Sequence, residues 1–368
     1  HEGDRTRASS GVARTMAQPL RVAVVGFGLI GRRRAQILAG GPGARLVAVA
    51  ETDQARAAAA AADFDVPIQP SWESMVASPD VDAVIVSTTN DLLATIALRA
   101  LEAGKHVLCE KPAGRTAGEA RRMAAAAADA GRTLCFGFNH RHTESLTQAR
   151  RIVHSGGIGS PLWVRARYGH GGRPGLEREW RADPERAGGG ELLDQGIHLV
   201  DLGRCFLGEV ERAAAVTRTM VWPIEPLEDN AFGTLEHEGG RVTQFHVSLN
   251  QWKNLFSFEI VGDGGALCAE GLGGSYGPER LVWHKKKPES GPPDTETFEY
   301  DAPLASWTRE WLGFLAAVEG RSAPPEEPSV ASAEDGVAVM EIVDALYRSA
   351  RSGRPSEVGA PAQAHGSA

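Results

Sequence analysis

The chain has 368 residues, 42% hydrophobic and 23% charged, with a formal net charge of −8. That length exceeds one ordinary core and suits two domains of globular composition. The acidic balance argues against a nucleic-acid partner, which needs clustered Lys and Arg, and no apolar stretch approaches membrane-spanning length.

Residues 1–19 are polar, lack an apolar signal core and read as a disordered leader or expression remnant outside the fold. From 20 to 138, short apolar runs alternate with helical stretches. The runs are Val22–Val25, Leu46–Ala50, Ala83–Ser87, His106–Cys109 and Thr133–Phe136; the helical stretches are Leu29–Leu38, Asp53–Ala62, Asp91–Ala103 and Ala117–Ala130. Continuous Val/Ile/Leu runs suit strands buried on both faces, so this segment predicts an α/β Rossmann domain with a parallel sheet. Thr116 and Glu119 predict a capping box, and Gly131 a left-handed stop, for the last helix.

Residues 139–353 have a different pattern. Helices are predicted over Ser145–His154 and Gly190–Phe206, then strands over Glu211–Thr219, Ala231–Glu236, Val242–Leu249, Phe256–Val261, Gly265–Ala269 and Leu281–His284. Turn signals such as Gly239-Gly240 and Gly262-Asp263-Gly264 separate them, and helices over Ser306–Glu319 and Ala333–Ser349 close the unit. Strands in series with tight turns predict an antiparallel sheet in an α+β domain. Residues 354–368, rich in Gly, Pro, Ala and Ser, read as a flexible tail. Cys109, Cys135, Cys205 and Cys268 show no paired or metal-ligand spacing and read as reduced thiols of a cytoplasmic protein.

The first strand runs directly into Gly26-Phe27-Gly28-Leu29-Ile30-Gly31, a GxGxxG followed by a helix. Glycines there permit a tight turn and close approach of a pyrophosphate to free helix N–H groups. Glu51 ends the second strand, 20 residues past Gly31, where a carboxylate can accept from ribose hydroxyls. This favours NAD over NADP, since a carboxylate repels a 2′-phosphate; Arg32, Arg33 and Arg56 weigh the other way. FAD, S-adenosylmethionine and a glycine turn without ligand are the competing readings. Thr88 and Asn90 follow the strand Ala83–Ser87 at the ligand end of the sheet, where they suit cofactor contact, while Thr89 or Asn90 equally suits a helix N-cap.

Glu110-Lys111-Pro112 follows His106–Cys109 at the same end, where Lys111 can donate to a substrate oxygen or to a nicotinamide ribose; a surface turn is the competing reading. Asp194 and His198 stand four apart in a predicted helix and can face one cleft, with the histidine exchanging a proton with a hydroxyl. A surface pair is the alternative. No HExxH or close ligand cluster supports a metal site.

Together, GFGLIG, Glu51, CEKP and GGGELLDQGIHLVD, in that order, resemble the glucose–fructose oxidoreductase/inositol dehydrogenase family, Gfo/Idh/MocA, over nearly the whole chain. The resemblance implies a Rossmann domain followed by a domain with a large, open-faced, mostly antiparallel sheet. It implies homodimers or homotetramers paired through those sheets, and a sugar, glycoside or inositol-like polyol as substrate. It implies Lys111, Asp194 and His198 as catalytic residues, with His198 the acid/base. Gly26, Phe27, Gly28, Leu29, Ile30, Gly31, Glu51, Thr88, Asn90, Glu110 and Lys111 fall in the cofactor-binding stretches. Asn139, Arg141, His170 and Trp180 are candidate substrate contacts. Two positions depart from the commoner pattern: Asp91-Leu92-Leu93 follows Asn90 where many members carry a histidine, and Asn139-His140-Arg141-His142 replaces an Asn-Arg-Arg-like stretch. Two other functions fit the same motifs: a recycling, tightly held NAD(H) serving sugar–sugar oxidoreduction or glycoside cleavage, and a non-catalytic NAD-binding regulator.

Overall fold

A computed structural model of the chain describes residues 18–360 apart from 42, 290 and 303. Residues 1–17 of the expected leader and 361–368 of the expected tail lie outside the described residues. Six strands open the fold: β1 (Leu20–Val25), β2 (Ala44–Ala50), β3 (Ile68–Gln69), β4 (Ala83–Val86), β5 (His106–Glu110) and β6 (Leu134–Gly137). All pair in parallel, in the spatial order 6-5-4-1-2-3. Every side chain of β4 and β6 is buried, as strands covered by helices on both faces require. This is the doubly wound order of dinucleotide-binding domains, and its direction reverses between β1 and β4. Ligands of such sheets bind in the crevice at that reversal, beyond the C-terminal strand ends.

The second sheet holds β7 (Pro161–Gly169), β8 (Val210–Arg218), β9 (Asn230–His237), β10 (Val242–Ser248), β11 (Leu255–Gly262), β12 (Gly265–Glu270), β13 (Glu279–Lys285) and β14 (Asp294–Tyr300). Its order is 14-13-12-11-7-10-9-8, antiparallel except where β10 runs parallel to β7. Along β7, Val164, Ala166 and Tyr168 are buried while Trp163, Arg165 and Arg167 are exposed. That alternation leaves one face for helices, among them Ile197–Leu207, and the other face open.

Two further strands are too short for any sequence pattern. β15 (Ala331–Ser332) joins the first sheet antiparallel to β6, and β16 (Ser356–Glu357) edges the second beside β8. β14 also carries no apolar signal, because it is a mostly exposed edge strand reading Asp-Thr-Glu-Thr-Phe-Glu-Tyr. The helix Ala305–Val318, which the sequence groups with the second domain, packs on the helix Leu29–Gly40 of the first. Arg34 is the clasp. It is fully buried, bidentate on Glu110 Oε1 (2.9 and 2.6 Å), and its other terminal nitrogen lies 2.5 Å from Glu310 without hydrogen-bond alignment.

Local capping follows the sequence with one correction. Thr116 accepts from the Glu119 N–H and Gly131 is left-handed (φ 59°), but the Glu119 carboxylate accepts from the Arg115 N–H and guanidinium instead of returning to Thr116. The complete capping box is Ser332–Asp335, at the start of Ala333–Ser352. The predicted helix over Gly190–Phe206 also differs. Its first part, Leu192–Gly196, is a π-turn, and regular α-helix begins at Ile197. Such turns occur often at functional sites.

Candidate active site

One cavity of about 1740 Å³ runs from the β1–β4 crevice to the second sheet. Its first half is the glycine loop. Gly26 is left-handed (φ 86°), and a Cβ there would meet the Ser87 carbonyl oxygen at 2.6 Å. A Cβ on Gly31 would lie 1.9 Å from the Gly26 carbonyl oxygen, so the helix reaches this close to the loop only with glycine. Gly28 precedes the helix Leu29–Gly40, and a Cβ there would meet open space. The Ser87 hydroxyl braces the loop by donating to the Val25 and Gly26 carbonyls at 3.1 and 2.9 Å. The cradle fits a dinucleotide: bare backbone faces the cavity at the positive end of a helix.

Glu51 stands at the end of β2 on the cavity wall. Its carboxylate accepts from the Phe27 and Asp53 N–H groups, both at 2.8 Å, and from the Arg56 guanidinium at 3.0 and 3.1 Å. Burial pushes this carboxyl up, but those donors outweigh it and hold it below the usual range. Arg56, half-exposed, occupies acceptor sites that a ribose would need, so ribose binding at Glu51 requires Arg56 to swing aside.

The reacting half is built where β5 meets the π-turn. Lys111 Nζ donates to the Asp194 carbonyl (2.5 Å) and carboxylate (2.6 Å), and Arg181 donates to the other carboxylate oxygen at 3.1 Å. Burial opposes ionisation of Asp194, yet Lys111 and Arg181 prevail and keep it well below the usual range. His198 is 3% exposed and borders the same cavity. It stacks on His140 with ring centroids 3.9 Å apart, and its Nδ1 has no partner among the described residues. Burial first, then His140 and Lys111, push it well below the ordinary histidine value, so it is a neutral imidazole able to take a proton.

Of the residues singled out by sequence, Gly26, Gly28, Leu29, Ile30, Glu51, Thr88, Asn90, Glu110, Lys111, Asn139, His170, Trp180, Asp194 and His198 all border this cavity. Three do not. The Phe27 ring is buried edge-on against Phe64, and only its N–H serves the site, through Glu51. Gly31 is steric, as above. Arg141 is a buried ion-pair residue, bidentate on Asp201 and bonded to Asp335, which leaves it outside the cavity lining. Glu110 borders the cavity, but one of its oxygens is committed to Arg34. Thr89 begins the helix Asn90–Glu102 without a side-chain cap, and Asn90 instead donates to the Ala187 carbonyl across the domains.

Sequence reading passes over Tyr168, His140, Glu191 and Tyr276 as site residues, though all border the cavity. Tyr168 and Tyr276 come from strand and loop positions with no motif. Glu191 alone carries a signal, a charged residue directly after three glycines and inside an apolar run. Among the described residues no cluster of three His, Cys, Asp or Glu is arranged to hold a metal, and no helix is long and apolar enough to cross a membrane.

A glycine cradle at the switch point of a doubly wound sheet, with Lys111 at the end of β5 meeting Asp194 and His198 from the second domain, defines a dinucleotide-dependent oxidoreductase acting on CH–OH groups. Residues 20–138 match the GFO_IDH_MocA oxidoreductase family with NAD-binding Rossmann fold, and residues 146–268 match the GFO/IDH/MocA C-terminal domain. The chain is 33% identical over 291 residues to 1,5-anhydro-D-fructose reductase of Ensifer adhaerens, covering 78% of this chain and 83% of that one. It is 34% identical over 233 residues to levoglucosan dehydrogenase of Pseudarthrobacter phenanthrenivorans, 59% of either chain. A levoglucosan dehydrogenase solved in complex with NADH and levoglucosan superposes with a TM-score of 0.82 at 26% identity, over 93% of this chain and all of the other. The chain belongs to the Gfo/Idh/MocA oxidoreductase family.

Proposed function

We propose that the protein is an NAD-dependent dehydrogenase that oxidises one hydroxyl of a sugar, glycoside or inositol-like polyol. The observation that carries this is the convergence of Lys111, Asp194 and His198 on one wall of the cavity whose other end is the glycine cradle. The named activities of the relatives, on anhydrosugars among others, support the substrate class. When bound, the nicotinamide supplies the hydride acceptor.

The chain's own groups handle the proton and the charge. Lys111, oriented by its two bonds to Asp194, retains a third N–H for the substrate oxygen and favours negative charge there. His198, neutral and shielded, accepts the hydroxyl proton. Asp194 holds Lys111 and Arg181 at fixed positions, and Trp180, whose ring lies 4.4 Å below Arg181, offers an apolar face to a sugar ring. Glu51, kept ionised, supports NAD over NADP, because a 2′-phosphate would meet a carboxylate.

The test is an absorbance assay with NAD and NADP against inositols, aldoses, anhydrosugars, glycosides and sugar acids. Growth of the reduced-nicotinamide band with one class, faster with NAD, is the expected result. Nucleotide binding without net reduction for any of them sinks the dehydrogenase reading. Nicotinamide retained through purification would then favour a recycling cofactor.

A further inference from the structure

Glu191 has no role in the scheme above, yet it is an unusual side chain for its place. It sits between the three glycines and the π-turn, 1% exposed, on the border of the cavity that holds Lys111, Asp194 and His198. Neither of its carboxyl oxygens has a hydrogen-bond partner among the described residues. Its backbone is pinned, since its N–H donates to the Glu228 carbonyl at 2.9 Å. Glu228 in turn accepts from the Leu192 N–H at 3.0 Å and the Tyr347 hydroxyl at 2.8 Å. So Glu228 is satisfied by the scaffold and Glu191 is not. Leaving a buried polar group without a partner is costly, and such a group in a ligand cavity marks a place where the ligand completes the bonding.

We propose that Glu191 is a substrate-recognition residue that binds a second hydroxyl of the sugar or polyol, beside the hydroxyl held at Lys111 and His198. It stands three positions before Asp194, one turn along the same segment, and shares the cavity lining with Tyr168 and Tyr276. The chemistry fits a neutral polyol. Burial, then the Asp194 carboxylate, push the Glu191 carboxyl well up against the pull of Lys111, which favours the acid form with its O–H donor and carbonyl acceptor. That pair of functions matches a hydroxyl, which both accepts and donates. An ammonium group on the substrate is the competing ligand, and it would need Glu191 ionised. Asp194, already shared by two cations, shows that the local field is not short of positive charge.

The proposal rests on the sugar-dehydrogenase reading for its substrate class but is tested by binding, not turnover. The NADH-loaded full chain is titrated with a sugar panel and its singly deoxygenated analogues, following tryptophan and nicotinamide fluorescence. Glu191→Leu is expected to weaken the best ligand about tenfold while leaving NADH affinity unchanged. One deoxy analogue is expected to bind wild type and variant alike, which localises the lost contact to that hydroxyl. Glu191→Gln, which keeps a donor and an acceptor at the same volume, is expected to stay within about threefold of wild type. It also serves as the reporter if the leucine variant fails to fold. Equal weakening of every sugar and deoxy analogue, or no weakening, overturns the proposal. Preference for an amino sugar that Glu191→Gln abolishes overturns it in favour of an ammonium. Sugar binding that depends on Glu191 without any turnover leaves the proposal standing while the dehydrogenase reading fails; no sugar binding at all overturns both.

Discussion

At the scale of single residues, the site divides into side chains held by their neighbours and side chains left open for a ligand. Asp194 is engaged by Lys111 and Arg181, whereas His198 Nδ1 and the Glu191 carboxyl have no hydrogen-bond partner among the described residues. If Lys111 stabilises the developing negative oxygen and His198 takes its proton, Lys111→Ala and His198→Ala each lower kcat by about 100-fold or more. NADH affinity, read by fluorescence, stays within a few-fold, because neither side chain forms the glycine cradle. Retained turnover in either variant removes that residue from the scheme. Both residues are legible in sequence because their motifs sit beside punctuation, a strand end for Lys111 and a triple glycine for His198. Tyr168, His140 and Tyr276 are not, since a tyrosine or histidine inside a strand or turn reads the same whether it faces a core or a cavity. Arg141 is misread for a related reason: a sequence shows an arginine but not the Asp201 and Asp335 that consume it.

At the scale of elements, the parallel strands and their helices follow from apolar runs and turn residues, and the strand-rich second half from regular turn signals. What stays hidden is whatever depends on distant partners. The π-turn is one case, for its composition is that of an ordinary helix. The helix Ala305–Val318 is another. Its periodicity announces a buried face but not that the face lies on the first sheet, through Trp307, Trp311 and Phe314. Arg34 is the polar part of that attachment, with Trp307 lying 4.6 Å from its guanidinium. Removing one partner of a buried ion pair strands the other, so Arg34→Ala, leaving Glu110 and Glu310 buried together, destabilises by about 3–5 kcal/mol. A denaturant midpoint unchanged by Arg34→Ala would show that the clasp is not what holds this helix down.

At the scale of the whole molecule, buried titratable groups set how the fold responds to acid. His140 and His142 are pushed down to about 3, by burial above all, and burial likewise pushes His198 well below its ordinary value. Below the ordinary histidine value of 6.5 the unfolded chain binds protons that these three refuse, which lowers stability as pH falls. Glu310, raised by burial to about 7, and Glu191, raised well above its ordinary 4.5, act oppositely. Between pH 4.5 and 7 the folded chain holds a proton on Glu310 that the unfolded chain has lost, and Glu191 is shifted in the same sense, so acidification over that window favours the fold through them. The two sets act in opposite directions down to about pH 4.5. Below it the carboxyls are protonated in both states, and the histidines act alone, joined by carboxylates such as Asp194 that the fold keeps ionised. The melting temperature is therefore expected to change gently between pH 7 and 5 and to drop steeply below about 4.5; a steep loss already at pH 6 would contradict this balance.

The same scale includes the bare face of the second sheet. Trp163, Val216 and Phe232 stand exposed there, with His246 stacked on Phe232 at 4.1 Å. The family resemblance implies that copies of the chain pair through such a face, and exposed apolar side chains are what an interaction surface needs. Phe232→Glu with Trp163→Glu is then expected to reduce the mass seen by light scattering by half or more, and an unchanged mass would place the contact elsewhere.

β15 is only two residues long, yet it joins the first sheet after the chain has built all but the outermost strand of the second. During synthesis, therefore, the nucleotide-binding half leaves the ribosome with one edge bare and with the Trp307–Trp311 surface missing. It waits through almost two hundred residues before its own last pieces arrive. A chain interrupted before residue 331 leaves the edge of β6 unpaired, so the first sheet is completed only after all but the outermost strand of the second has been made.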